Sequence, residues 1–214
     1  MPFTPEQFFQ VFEKYNQTIF PMQIVLILAA FAAIMLASKP KALSDEIISV
    51  LLAVFWLWTG FVYHLIFFTE INPAAYIFGT VFIVQGFLFL YQGLLKKSLS
   101  FRFAQNLYGI LGAIFIVYAL IIYPVIGYAT GRVYPASPTF GAPCPMVIFT
   151  FGLLMWTNKK LALYLLIIPT LWAFLGISAA SSFGVIEDFG LLIAGTIGTA
   201  FIIRRNFVAE KEIL

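Results

Sequence analysis

Apolar residues gather into seven stretches, about Ile19 to Ala37, Glu46 to Phe68, Pro73 to Leu95, Gln105 to Tyr128, Pro145 to Trp156, Leu161 to Ser178 and Asp188 to Ile203. Most come near the ~20 residues that a helix needs to cross ~30 Å of hydrocarbon, where every backbone amide must be satisfied internally. Ten of the twelve Lys and Arg fall in alternate gaps: Lys39 and Lys41; Lys96, Lys97 and Arg102; Lys159 and Lys160; Arg204, Arg205 and Lys211. Only Lys14 and Arg132 fall elsewhere. Because basic residues are retained in cytoplasmic loops, this alternation predicts an all-α polytopic transmembrane helix bundle of seven spans, N-terminus outside and C-terminus cytoplasmic. Residues 1–214 form a single transmembrane domain in this reading.

Two segments depart from the simple pattern. Phe8, Phe9, Phe12 and Tyr15 recur at helical spacing behind Thr4, a capping residue, and Pro5, suited to a first helical position. They predict a short amphipathic helix over 4–16 on the outer membrane surface. The fifth stretch, Pro145 to Trp156, would rise only ~18 Å as a helix and falls short of the hydrocarbon thickness. It is expected to span as a half-helix, with loop residues from Thr139 to Pro143 entering the membrane behind other helices.

Composition agrees with a lipid environment: the chain is 62% hydrophobic and 10% charged, with 25 Phe among 214 residues. The net charge of +3 comes from the inward loops, so it points to anionic lipid and not to nucleic acid. The opening Met1-Pro2-Phe3-Thr4-Pro5-Glu6 lacks a basic leader and a small-residue cleavage site, so a removable signal peptide is not expected. One Cys and one His exclude a multi-thiolate metal site and bis-histidine haem, and no cofactor is expected. A soft metal shared by His64 and Cys144 is the minor reading of that pair.

Ionisable and polar groups at membrane depth are the candidates for function. His64 lies four residues after Gly60 and eight after Trp56, on one helical face, with Tyr63 beside it. Glu70 follows on the same membrane side, Cys144 stands between two prolines at the start of the fifth span, and Asp188 opens the seventh after Glu187. The expected ligand-binding set is Trp56, Tyr63, His64, Glu70, Cys144 and Asp188, around an outer-facing polar cavity. An excess of outer carboxylates would draw a small cationic or protonatable solute. Gln85 and Gln92 mark where a polar path would continue inward, and Gly190, Ala194 and Gly198 form a small-residue stripe for a homo-oligomer or a partner membrane protein.

Retinal proteins are excluded, because the seventh span carries no lysine for a Schiff base. The runs Trp56 to His64, Ile71-Asn72-Pro73-Ala74-Ala75 and Pro143-Cys144-Pro145, leading to Phe149-Thr150-Phe151-Gly152, resemble an uncharacterised bacterial inner-membrane family, a domain of unknown function. The resemblance covers nearly the whole chain. It implies a multi-pass inner-membrane protein and no activity.

Three functions remain open. The first is a small-solute or cation/proton transporter working through His64 and Glu70. The second is an intramembrane thiol or redox enzyme with Cys144 as nucleophile and His64 as base, although no catalytic constellation makes an enzyme the leading reading. The third is a ligand-sensing or assembly subunit.

Overall fold

The computed structural model describes residues 3–211, apart from the side chains of residues 179 and 209–211, so the side chain of Lys211 in the last basic gap lies outside the described set. Its elements are helices: α1 (Pro5–Ile19), α2 (Met22–Ser38), α3 (Ser44–Glu70), α4 (Ala75–Leu95), α5 (Leu107–Ala129), α6 (Pro143–Met155), α7 (Leu163–Phe183) and α8 (Ile186–Val208). No strand occurs among the described residues.

Five helices, α3, α4, α5, α7 and α8, are long and apolar enough to cross a membrane, and α1 and α2, bent by 84° at their junction, would make a sixth span if taken together. Each of the seven apolar stretches thus corresponds to one helix from α2 to α8, with α6 too short by itself. In α2 the buried line Leu26, Ala30, Ala33 and Ala37 alternates with an exposed line of Ile24, Leu28, Phe31 and Met35. A helix that is apolar on both faces, one packed and one bare, needs lipid against the bare one.

An amphipathic N-terminal helix is present, α1, but its apolar face packs on the bundle, where the expectation had it lying on the membrane surface. Thr4 caps α1 in a reciprocal capping box: the Gln7 amide donates to Thr4 Oγ1, the Thr4 amide donates to Gln7 Oε1, and Pro5 opens the helix. Its buried side, Phe8, Val11, Phe12, Tyr15 and Ile19, lies over the bundle end where α3, α5 and α7 finish. This end is called the α1 face below, and the opposite one, bearing the basic gaps, the basic face.

Helix α6 runs through the middle of the bundle, and every residue from Pro145 to Met155 is buried. Thirteen residues rise only ~20 Å, and both ends are completed by other segments. On the α1 face the preceding loop sinks inward as expected: Phe140 and Ala142 are buried, and Gly141 (φ +109°) offers its carbonyl to Tyr15 Oη at 3.0 Å and Thr59 Oγ1 at 3.2 Å. Asn16 holds the same loop, donating to the carbonyls of Pro135 and Ser137 at 2.7 Å each. At the basic face Arg205 donates to the Met155 carbonyl at 3.2 Å and the Thr157 carbonyl at 2.5 Å, neutralising the open carbonyls of the helix C-terminus.

Three long helices contain π-helical turns, at Thr59–Phe67 in α3, Tyr91–Leu95 in α4 and Tyr118–Ile122 in α5. Such turns are uncommon and gather at functional sites. Helices α3 and α4 meet closely at Gly60, where an added Cβ would stand 2.9 Å from the Gly79 carbonyl oxygen.

The stripe on α8 is occupied within the chain: Gly190 abuts the Tyr118 ring, Gly198 abuts Phe151 and Ala194 is fully buried. It serves the packing of α8 on α5 and α6, so an oligomer or partner contact would need another surface.

Candidate ligand-binding site

At the α1 face a cavity of about 350 Å³ opens between α1, α3, α4, α6 and α7. Phe3, Phe8 and Phe12 roof it, Tyr63, Phe68, Phe78 and Trp172 wall it, Phe183 and Leu175 close the α7 side, and Asn72, Cys144 and Ser178 supply what polarity it has. The expectation of a polar cavity is corrected here: the lining is overwhelmingly aromatic and carries no charged side chain. The reason lies in α1 and the residues before it: the apolar face of α1 turns inward and, with Phe3, brings three phenylalanines over the end of the bundle.

His64 stands behind the aromatic wall. It is fully buried, its ring 4.7 Å from that of Phe82, 5.1 Å from Trp172, 5.2 Å from Tyr63 and 5.9 Å from Phe78. Neither ring nitrogen has a hydrogen-bond partner. Trp56 does share its side of α3, touching Phe82 at 4.6 Å, but its indole N–H donates to Thr150 Oγ1 at 3.1 Å and it packs in the core away from the cavity. Glu70 is turned outward and binds Lys14 at 2.6 Å, both half-exposed, so it forms no pair with His64.

The polar groups gather instead on the far side of Cys144. Asp188 is almost fully buried, with Oδ1 accepting from Tyr123 Oη at 2.7 Å. The Cys144 side chain lies beside Asp188 and beside the Trp172 indole, whose N–H has no hydrogen-bond partner among the described residues. Adjacent Glu187 is bound by Arg132 through Nη2 at 2.5 Å and Nε at 3.1 Å, and its backbone carbonyl accepts from Tyr118 Oη at 2.8 Å. Of the six residues expected at the site, Tyr63 and Cys144 line the cavity, and Asp188 and His64 stand one residue behind it. Glu70 and Trp56 do not belong to it.

The His64 and Cys144 pairing needed for thiol activation is not formed, because Cys144 faces Asp188 and Trp172 while His64 is enclosed by rings. Among the described residues no group of three or more His, Cys, Asp or Glu is placed to hold a metal ion. Tyr123 and Trp172 escape a search for ionisable motifs, and the spacing of the α1 phenylalanines marks a helix without showing that they roof a cavity. Arg132 is a base outside the basic gaps on the side that carries Glu187, and that mismatch marks it.

A family model described as "Family of unknown function (DUF6064)" matches residues 5–212. The chain belongs to DUF6064. The family resemblance drawn from the Tyr63-His64 and Pro143-Cys144-Pro145 segments is thereby met at the level of a family without assigned function. Comparison with curated proteins and with solved structures returns no match. For this DUF6064 chain the geometry of the cavity therefore carries the functional argument.

Proposed function

We propose that this chain is a membrane-embedded receptor site for a small, largely apolar organic molecule, which enters the aromatic cavity from the α1 face. The observation that carries this reading is the cavity itself: a space of about 350 Å³ under α1, ringed by aromatic side chains, within the size range of small-molecule sites. In the arrangement we favour, α2 to α8 are the seven spans. The basic gaps lie on the cytoplasmic side of a bacterial inner membrane and the cavity opens to the outer side.

Transport of a solute is the second reading. The buried Asp188, Tyr123 and Cys144 group beneath the cavity favours it, since a carboxylate at membrane depth is a common element of a solute or proton path. Against it stand Gln85 and Gln92. Gln85 donates to the Leu165 carbonyl at 3.0 Å and Gln92 to Tyr164 Oη, so both amides tie α4 to the start of α7 and do not line an inward continuation.

The test is binding of alkylbenzenes and related apolar probes to the purified chain in nanodiscs, comparing wild type with Ser178→Phe, which fills the α7 side of the cavity. Probe-dependent thermal stabilisation that disappears in Ser178→Phe supports a ligand cavity. Equal responses of the two proteins would reject it.

A further inference from the structure

The charge distribution around the cavity narrows the ligand class. This step rests on the ligand-cavity reading above. We infer that the occupant is an organic cation with a weakly hydrated centre, such as an alkylated ammonium, held against the aromatic faces and balanced by Asp188 across the Cys144 side chain.

Three observations converge. First, the lining presents eight aromatic rings, Phe3, Phe8, Phe12, Tyr63, Phe68, Phe78, Trp172 and Phe183, and no lysine or arginine. Ring faces carry partial negative charge, and a cage of them selects alkylated ammonium groups, whose hydration is cheap to remove. An anionic ligand would meet those faces with no counter-charge.

Second, one carboxylate behind the lining forms no ion pair among the described residues, although Arg132 is near enough for its charge to be felt there. Arg132, one of two bases on this side of the bundle, is already bound to Glu187 at 2.5 Å. Among the described residues the Asp188 carboxylate accepts a side-chain hydrogen bond from the Tyr123 hydroxyl, at 2.7 Å, and forms no ion pair, with Cys144 beside it. Buried charges are ordinarily paired. A cation resting against Cys144 would supply the missing charge at one side chain's remove.

Third, the other nearby titratable groups do not compete. His64 is enclosed by rings with both nitrogens unpartnered, and the Lys14 ammonium is held by Glu70 at 2.6 Å on the exposed surface. Neither sets a positive charge against the cavity wall.

The experiment uses an isosteric pair, benzyltrimethylammonium and neopentylbenzene, which differ only in the charge at one centre. Binding of each to the full chain in nanodiscs is measured as the difference between wild type and Ser178→Phe, so that partition into lipid cancels. The inference expects the cation to bind at least about tenfold tighter than its neutral isostere, and Asp188→Asn to remove most of that margin. Should Asp188→Asn fail to fold, the wild-type comparison of the two probes decides alone. Equal or tighter binding of neopentylbenzene would overturn the cation inference and leave the ligand cavity standing. If neither probe distinguishes wild type from Ser178→Phe, both readings fall together.

Discussion

Arg132 and Glu187 join the loop after α5 to the start of α8 through two charge-assisted hydrogen bonds, at 2.5 and 3.1 Å, with the Glu187 side chain 1% exposed. Arg132 adds a third bond, to the Gly184 carbonyl at 3.0 Å. This clamp fixes the turn that positions Asp188. Removing Arg132 strands a fully buried carboxylate, and removing Glu187 leaves the guanidinium with the Gly184 carbonyl alone. Arg132→Gln or Glu187→Gln is therefore expected to cost roughly 3–5 kcal/mol, whereas replacing both by apolar residues of similar volume costs much less. Thermal unfolding of the single and double variants in detergent checks this, and an additive loss would contradict it.

Arg205 serves the basic face in a comparable way. Its guanidinium reaches two carbonyls and Thr157 Oγ1 at 2.6 Å, and stacks over the Tyr108 ring at 5.6 Å. A lysine has one compact donor centre and cannot reproduce the fork. Arg205→Lys should lower stability by roughly 1.5–3 kcal/mol even though it conserves charge. An unchanged unfolding temperature for Arg205→Lys would show that charge alone closes the end of α6.

His64 makes the opposite prediction. Two nitrogens buried without partners oppose folding, by roughly 1–3 kcal/mol per unsatisfied group. Replacing the ring with an apolar side chain of similar size removes that cost. His64→Leu is expected to leave stability unchanged or raise it in the ligand-free protein, as read by thermal unfolding. A marked loss would mean that His64 holds a partner in the membrane.

Orientation is open to direct chemistry. In a Cys144→Ser background, Thr130→Cys at the α1 face and Lys159→Cys at the basic face place single thiols at exposed positions. A membrane-impermeant maleimide applied to intact cells should label the first and spare the second. The reverse pattern would invert the assignment of sides.

Much of this arrangement is legible in the sequence, because lipid imposes arithmetic on a chain. Segment length located α2 to α8, the shortfall at Pro145 to Trp156 required a sunken loop, and the Thr4-Pro5 start with its recurring aromatics marked α1. The site was only half legible. Helical spacing put Trp56 and His64 on one side of α3, and both do rest on Phe82. What covers that side comes from α4 and α7, through Phe78, Phe82 and Trp172, and spacing within one helix says nothing of rings arriving from others. The same blindness made the cavity look polar: its roof is contributed by Phe3, Phe8 and Phe12, more than fifty residues before the walls they complete. The spacing of Gly190, Ala194 and Gly198 marks a close-contact stripe, but a stripe does not name the surface it meets.

From Pro145 to Met155 helix α6 is surrounded by the rest of its own chain, so its neighbours there are protein atoms and not acyl tails. For this segment the usual membrane selection for greasiness is suspended. What governs it is shape, as in the interior of a water-soluble enzyme: Gly152 lies against Gly112, Thr150 serves the Trp56 indole, and Phe149 sits edge-on to Phe55 and Phe140. Volume changes on α6 should consequently be felt more sharply than polarity changes, whereas on the lipid-facing side of α2 the order should reverse. The protein thus keeps two sets of substitution rules within one bilayer, an outer ring answerable to lipid and an axle answerable only to fit.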